Sequence, residues 1–188
     1  IMSQNHKLDL GKYKLIIDTI FDATDPVVLG TQMTHLLITA MGVKGATVFV
    51  VNPISDELEI LATEGLSLAY RNKGPILVDK SIKLSSNQTP IVIADTDNST
   101  QLQYPLKAKE EGVKAIVSIP VKLKGKIVAA LRVYHSETWK VTDQELAYLE
   151  LIARHIGMAL RYFRLSSAVA STRETMSQIH SICCEGYF

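Results

Sequence analysis

The chain has 188 residues, enough for one domain of ordinary size with a helical arm rather than two full domains. Hydrophobic residues make up 47% and charged residues 21%, as in a globular protein with ample core, and a net charge of +1 excludes any global attraction to nucleic acid or an anionic membrane. No apolar run approaches the ~20 residues of a membrane span, and the only cysteines, Cys183 and Cys184, are neighbours that cannot build a disulfide framework, which fits a reducing cytoplasm.

Leu8, Leu15, Ile16, Ile20 and Ala23 recur at helical spacing and predict a first amphipathic helix. Asp25-Pro26 reads as an N-cap followed by proline at the first helical position. The second helix carries Val28, Leu29, Met33, Leu36, Leu37, Ala40 and Met41 and ends near Gly42. The period then changes. Ala46 to Val51 is continuous and β-branched, Asn52-Pro53 with Ser55-Asp56 supplies a turn, and a second strand returns with Leu58, Ile60 and Ala62 on one face. Residues 66–90 are less regular, with a short candidate strand at Ile76 to Val78 and a polar patch, SSNQTP, at 85–90. Ile91 to Ala94 reads as another short strand running into the polar loop DTDNSTQ, and a helix from about Leu102 to Glu111 ends at Gly112.

The stretch GVKAIVSIPVKLKGKIVAALRVYH, from Gly112 to His135, is a hairpin around a Lys-Gly-Lys turn. Val117, Ile119, Val121 and Leu123 share one face of its first strand, and Ser118, Pro120, Lys122 and Lys124 share the other. In the second strand Ile127, Ala129, Leu131, Val133 and His135 lie opposite Val128, Ala130, Arg132 and Tyr134. Proline cannot donate to a ladder, so Pro120 marks an edge, a bulge or a strand end. The sheet is expected to cover a core on one face and something wetter on the other.

Thr142-Asp-Gln-Glu145 matches a capping box. The long helix behind it carries one seam through Leu146, Leu149, Ala153, Ile156, Leu160 and Phe163. A phase slip then leads to a second seam through Leu165, Val169, Met176, Ile179 and Cys183, with polar Thr172 in its middle. The second seam is expected to pack against another chain, or to fold back on the first helix.

This order of elements resembles the GAF domain family. The resemblance rests on DATDPVVLGTQMTHLLITAMGVKGATVFVVN, on TPIVIADTDN, and on the run from Gly112 through the capping box to Leu160. It covers about residues 8–165 and leaves 166–188 as a C-terminal helical extension. It implies an α+β fold of the PAS-like type: a central antiparallel sheet of about five or six strands, N-terminal helices, and a long C-terminal helix packed on one face. It also implies a non-catalytic bacterial regulatory domain in the cytoplasm. Such a domain binds a small-molecule effector in a pocket beside the sheet and signals through the terminal helices of a homodimer. Two alternatives remain: a ligand-free dimerisation module whose pocket is filled by its own side chains, and a small enzyme on the same fold.

No cofactor, metal, nucleic-acid or membrane partner is expected. Bilin-binding relatives use a cysteine near the pocket, and relatives that reduce free methionine sulfoxide use several, whereas residues 1–182 contain none. The Asn-Lys…Phe…Asp-Glu signature of cyclic-nucleotide-binding relatives is missing. His6, His35, His135, His155 and His180 show no ligand spacing, and no helix-turn-helix with a basic recognition helix is present.

The ligand-binding candidates are Asp95, Asp97, Asn98, Tyr104, Ser118, Arg132 and Tyr134. The loop residues Asp95, Asp97 and Asn98 read either as polar effector contacts or as a solvated Asx turn. Tyr104, Arg132 and Tyr134 read either as pocket wall, with Arg132 pairing an anionic group, or as a surface cross-strand arrangement. Ser118 shares their face, where it hydrogen-bonds a ligand or is merely tolerated. Lys114, Lys122, Lys124 and Lys126 suit a protected strand edge, since a nucleic-acid surface needs more basic residues and interleaved aromatics. His135 reads as a histidine at the core rim rather than a general base, because no nucleophile or acid is placed to work with it.

Overall fold

The first two helices begin where an aspartate caps them. In the computed structural model, which describes residues 8–77 and 89–185 with side chains through residue 177, α1 spans Leu10–Asp22 and α2 spans Pro26–Met41. Asp25 Oδ1 accepts from the backbone N–H groups of Val27 and Val28 at 2.9 and 3.0 Å. That satisfies two of the donors a helix leaves open at its start and stabilises it by about 1 kcal/mol. Gly42 closes α2 in the left-handed conformation, φ 62°, as the sequence predicts.

Among the described residues, five antiparallel strands follow in the spatial order β2-β1-β5-β4-β3. They are β1 (Gly45–Val51), β2 (Leu58–Glu64), β3 (Ile91–Ile93), β4 (Ala115–Leu123) and β5 (Lys126–His135). Short helices α3 (Leu68–Arg71) and α4 (Pro105–Glu111) lie in the connections, and α5 runs from Asp143 to Glu185. Ile76 and Leu77 form no strand, although Leu77 makes an isolated bridge to Glu57. Val78 and the patch at 85–88 lie outside the described residues, as do the side chains of Ile179, Cys183 and Cys184.

The hairpin turns on Lys124 and Gly125, both at positive φ (50° and 76°). This two-residue geometry matches the natural twist of antiparallel strands. Pro120 does not end β4. It pairs with Ala130 of β5, while β3 reaches only Ser118, so Pro120 sits where the other side of β4 is already an edge. A register shift follows between Val121 and Lys122. One expectation fails at β2. The predicted alternation of Leu58, Ile60 and Ala62 is broken by a bulge, because Val48 pairs with Ala62 and Phe49 with Ile60. The extra residue, Leu61, packs with the helical core, while Leu58 and Ile60 belong to the opposite layer.

One face of the sheet carries Ala46, Val48, Val117, Ile119, Val121, Ala129, Leu131 and Val133, all buried. Against it pack α2 on β1 and β2, and α5 on β4 and β5, with α1 laid against both helices. Leu149, Ala153 and Ile156 of the predicted seam are buried there, joined by Ile152, and Leu146, Leu160 and Phe163 border them. Each large apolar side chain so buried contributes about 1.5–3 kcal/mol. The capping box is present: Glu145 N–H donates to Thr142 Oγ1 at 3.2 Å, and Thr142 N–H donates to Glu145 Oε2 at 2.9 Å. The fold-back on α1 occurs, but through the first half of α5, where Tyr13 stacks on Tyr148 with centroids 5.2 Å apart.

The second seam differs from the prediction in where it starts. Met158, Tyr162, Leu165, Val169 and Met176 are all more than half exposed and follow one another at spacings of four and three, with Thr172 filling the remaining place. Met158 lies two residues past buried Ile156, a rotation of about 200° at 3.6 residues per turn. The two stripes therefore overlap on opposite faces of α5 instead of succeeding one another through a phase slip.

Candidate functional site

The sheet's second face is not wet. A row of paired residues crosses all five strands as Thr63, Thr47, Arg132, Ser118 and Ile91. Its middle is buried, with Thr47, Arg132 and Ser118 exposed by 1%, 4% and 0%. The expected wetter layer is instead a second, smaller core. Tyr70 of α3, Ala108 of α4 and Val113 pack on Ile116 and Tyr134, and Ile76 packs near Phe49, Leu58 and Ala130. Ser118, Arg132 and Tyr134 are sealed beneath these segments, whereas Lys122 and Lys124, at and just beyond the far end of β4, are exposed, so the surface cross-strand alternative for Arg132 and Tyr134 is excluded.

Arg132 occupies the central strand. Its Nε donates to Ser118 Oγ at 3.2 Å, and its guanidinium carbon lies 4.9 Å from the centre of the Phe49 ring. Tyr134, two residues on and on the same face, meets Tyr70 edge-on with centroids 6.0 Å apart. Burial pushes the Tyr134 hydroxyl up from the usual phenol range, against the opposing charge of Arg132. Burial, reinforced by Tyr134, pushes Tyr70 up as well. Both phenols stay neutral hydrogen-bonding groups at any ordinary pH.

Between these side chains and the covering segments lies a cavity of about 20 Å³, bordered on the sheet side by Ile116, Arg132 and Tyr134 and on the cover side by Tyr70, Lys73 and Ile76. Leu102, Gln103 and Tyr104 complete it. Such a volume holds roughly one water. The Lys73 amine donates to the Tyr70 carbonyl at 3.0 Å and lies 3.8 Å from the centre of the Tyr70 ring. Burial, helped by the nearby charge of Arg132, lowers its pKa to about 8. Tyr104 donates to the Pro75 carbonyl at 2.9 Å, and Gln103 Nε2 donates to both Pro75 O and Tyr104 Oη at 3.1 Å. Gln103 Oε1 is buried and has no hydrogen-bond partner among the described residues.

The cover is fastened from behind. Ser67 caps α3 by accepting from Tyr70 N–H at 3.2 Å. Its own N–H donates to Glu111 Oε1 at 3.0 Å and its hydroxyl donates to Glu111 Oε2. Lys44 reaches Glu111 at 3.5 Å. Burial raises the Glu111 carboxyl, but the Ser67 hydrogen bonds and the Lys44 charge outweigh it and hold the group below its usual range. A single carboxylate thus ties α3, α4 and the start of β1 together.

The seven candidates fall into two places. Tyr104, Arg132 and Tyr134 line the cavity, and Ser118 stands behind Arg132. Asp95, Asp97 and Asn98 lie elsewhere, in the loop after β3, where Asp95 and Asn98 border an open hollow of about 260 Å³. There Asp95 accepts from Asp97 N–H at 3.0 Å and from Asn98 Nδ2 at 2.7 Å, an Asx-type turn. Lys114 bridges to Asp97 at 2.5 Å and, chiefly through that hydrogen bond, holds the carboxyl below its ordinary range. His135 accepts from Glu137 N–H at 3.0 Å and faces Trp139 at 5.7 Å, at the rim of the sheet. Among the described residues no group of three or more His, Cys, Asp or Glu is placed to hold a metal ion, and no helix is long and apolar enough to cross a membrane.

Tyr70, Lys73, Ile76, Leu102, Gln103 and Ile116 were not legible as site residues. Ile116 is the exception in principle, since it alternates with Ser118 on the face that carries Arg132. The others come from connections without a repeating pattern.

The family model for the GAF domain matches residues 25–160. Among solved structures, the chain is similar to the GAF domain of a phosphoenolpyruvate-protein phosphotransferase from Coxiella burnetii, with TM-score 0.77 and 18% identity over 88% of this chain and 99% of that one. It is similar to a free methionine-R-sulfoxide reductase from Neisseria meningitidis in complex with its substrate, with TM-score 0.74 and 16% identity over 88% and 96%. A domain of a two-component sensor histidine kinase protein from Sinorhizobium meliloti also matches, with TM-score 0.58 and 18% identity over 87% and 99%. A search of curated protein sequences finds no significant match. At these identities the structural likenesses speak for the fold.

Proposed function

The chain belongs to the GAF domain family, and on that premise we propose that it is a non-catalytic regulatory module that binds a small effector in the cavity beside Arg132. The observation that carries this reading is the buried polar row on the second sheet face. A layer that served only as core would be apolar, because burying polar and charged groups is costly unless each is matched. Here Arg132 and Ser118 are sealed in beside a cavity that Lys73 and Gln103 also border. Buried charged groups gathered at a cavity are the usual mark of a binding site.

The signal leaves through α5, which packs on β4 and β5 directly behind that row. We assign the exposed stripe from Met158 to Met176, together with α1, to a homodimer interface. A small shift of β5 on effector binding then becomes a change in helix packing between two copies. A cytoplasmic setting suits a chain whose only cysteines are a neighbouring pair. An enzymatic role is the weaker reading, despite the reductase among the structural neighbours. Among the described residues, the cavity lining contains no cysteine, serine or histidine to act as nucleophile or base.

The small volume of the cavity, about 20 Å³, favours a second reading, a ligand-free dimerisation module whose pocket is filled by its own side chains. Native mass spectrometry of protein purified without added ligand separates the two. A dimer carrying an adduct that departs on denaturation is the expected result. A clean dimer that acquires no adduct from a metabolite extract would refute the effector reading, and a monomer would refute the interface.

A further inference from the structure

The exposed stripe of α5 has different neighbours on its two sides. Tyr148 and His155, which meet Tyr13 of α1, lie about 60–80° to one side of Met158 at 3.6 residues per turn. Gly157, Arg161 and Arg164 lie about 60–120° to the other side. A Cβ on Gly157 would stand 2.9 Å from Val121 Cγ1, so this second flank runs along the end of β4 and out past the hairpin turn. Lys122, Lys124 and Lys126 around that turn and Arg161 and Arg164 of α5 are all exposed. None of the five forms an ion pair among the described residues. Residues 112–135 and 151–173 contain no aspartate or glutamate, and residues 78–88 carry Lys80 and Lys83 beside Asp79, so they do not reverse the sign.

The α1 flank has the opposite sign at the same end of the sheet. α2 runs toward Gly45, which pairs with Tyr134 at the end away from the β4–β5 turn. α1, joined to the start of α2 by residues 23–25, therefore ends near the turn. There Asp18 and Asp22 are exposed, Phe21 is 75% exposed, and neither acid has an ion pair among the described residues. Lys12 and Lys14 sit in the first half of α1, and its last turn holds no basic residue. Asp22 thus stands at the negative end of the helix with nothing in α1 to offset it.

We propose that two copies of the chain pair with their α5 helices parallel and in register, so that Asp18 and Asp22 of each copy meet Lys124 and Arg161 of the other. This deepens, and rests on, the reading of the stripe as a homodimer interface. Two-fold symmetry makes the orientation a choice between two arrangements. An axis along the helices sets the α1 flank of each copy against the basic flank of the other, with opposite signs together. An axis across the helices sets α1 flank against α1 flank and leaves both basic flanks unmatched. It offers the acids only Arg173, about 60° from Met158 on the α1 side. Complementary charge at the border of an apolar contact fixes orientation and register.

The test is oxidative crosslinking with copper phenanthroline of full-length Met176→Cys protein whose native cysteines are removed by Cys183→Ser and Cys184→Ser. In the parallel pair the two copies of position 176 face each other within reach of a disulfide, and the protein is expected to crosslink to itself. In the antiparallel pair position 176 meets position 158 of the other copy, about 27 Å along the helix from its own mate. Asp18→Lys with Asp22→Lys is expected to weaken the dimer about tenfold in sedimentation equilibrium. Adding Lys124→Glu with Arg161→Glu restores it, and adding Arg173→Glu does not. A dimer in which Met176→Cys protein crosslinks only to Met158→Cys protein, or in which Arg173→Glu supplies the rescue, would overturn the parallel arrangement and leave the homodimer standing. A monomer at every concentration would overturn the homodimer and the arrangement together.

Discussion

Gly30 of α2 packs against β2, and replacing it with alanine sets two opposing terms against each other. A helix-interior Gly→Ala exchange ordinarily stabilises by about 1 kcal/mol, through helix propensity and a less flexible unfolded chain. Here the new Cβ would lie 2.8 Å from Ala62 Cβ and 3.4 Å from Leu61 Cγ, whereas apolar carbons pack best at roughly 3.5–4.0 Å. The bulge at Leu61 fixes this approach, since it presents Leu61 and Ala62 in succession to α2. Relieving the clash needs α2 to move outward by most of an ångström, and overpacking of that kind costs about 1–3 kcal/mol. The expected net effect of Gly30→Ala is a loss of about 1 kcal/mol. Combining it with Ala62→Gly moves the methyl group across the interface, and the two changes should couple favourably by about 1–2 kcal/mol. Urea unfolding of the four proteins at one protein concentration measures the cycle. A gain of about 1 kcal/mol for Gly30→Ala alone, with additive behaviour in the double variant, would refute the packing reasoning.

Lys73 makes the second prediction. Its folded pKa of about 8 lies below the ordinary 10.5, so between these values the unfolded chain holds more protons and Lys73 makes stability rise with pH. The difference corresponds to roughly 3 kcal/mol, of which solvent screening of a partly exposed amine leaves on the order of 1–2. Wild type should therefore gain on Lys73→Met between pH 8 and pH 10 in urea midpoints, and a constant difference would contradict the assigned burial. At the proposed dimer interface, Leu165→Glu with Val169→Glu replaces side chains 56% and 68% exposed. It should weaken association at least tenfold in sedimentation equilibrium with an unchanged monomer fold, and an unaffected dimer would place the interface elsewhere. Thr142→Ala removes one half of the capping box and should cost about 1 kcal/mol, read by the same urea assay; a change below about 0.3 kcal/mol would mean that Glu145 caps the helix without it.

Much of the architecture was open to sequence reasoning because it depends on local rules. Asp25-Pro26, Gly42, the Lys-Gly-Lys turn and Thr142 to Glu145 each satisfy or release backbone groups within a few residues, and the family pattern follows from their order. The alternation along β4 and β5 likewise separated the helical core face, with Val117, Leu131 and Val133, from the face with Ser118, Arg132 and Tyr134. Periodicity assigns a residue to a face. It does not say what will cover that face.

Cover and bulge were decided by the tertiary structure. Whether Arg132 meets solvent or a cavity depends on α3, α4 and their flanking loops folding back over the sheet. Those segments are short, follow no period, and are held by long-range bonds such as Ser67 to Glu111, which no local pattern records. The same holds for Leu61, whose extra place in β2 shows only in the pairing with β1 and in its packing with the helical core. The sequence by itself determined which side chains share a face, through backbone periodicity and capping. Only the packed chain decided which of them are buried, because burial depends on contacts between segments far apart in the sequence.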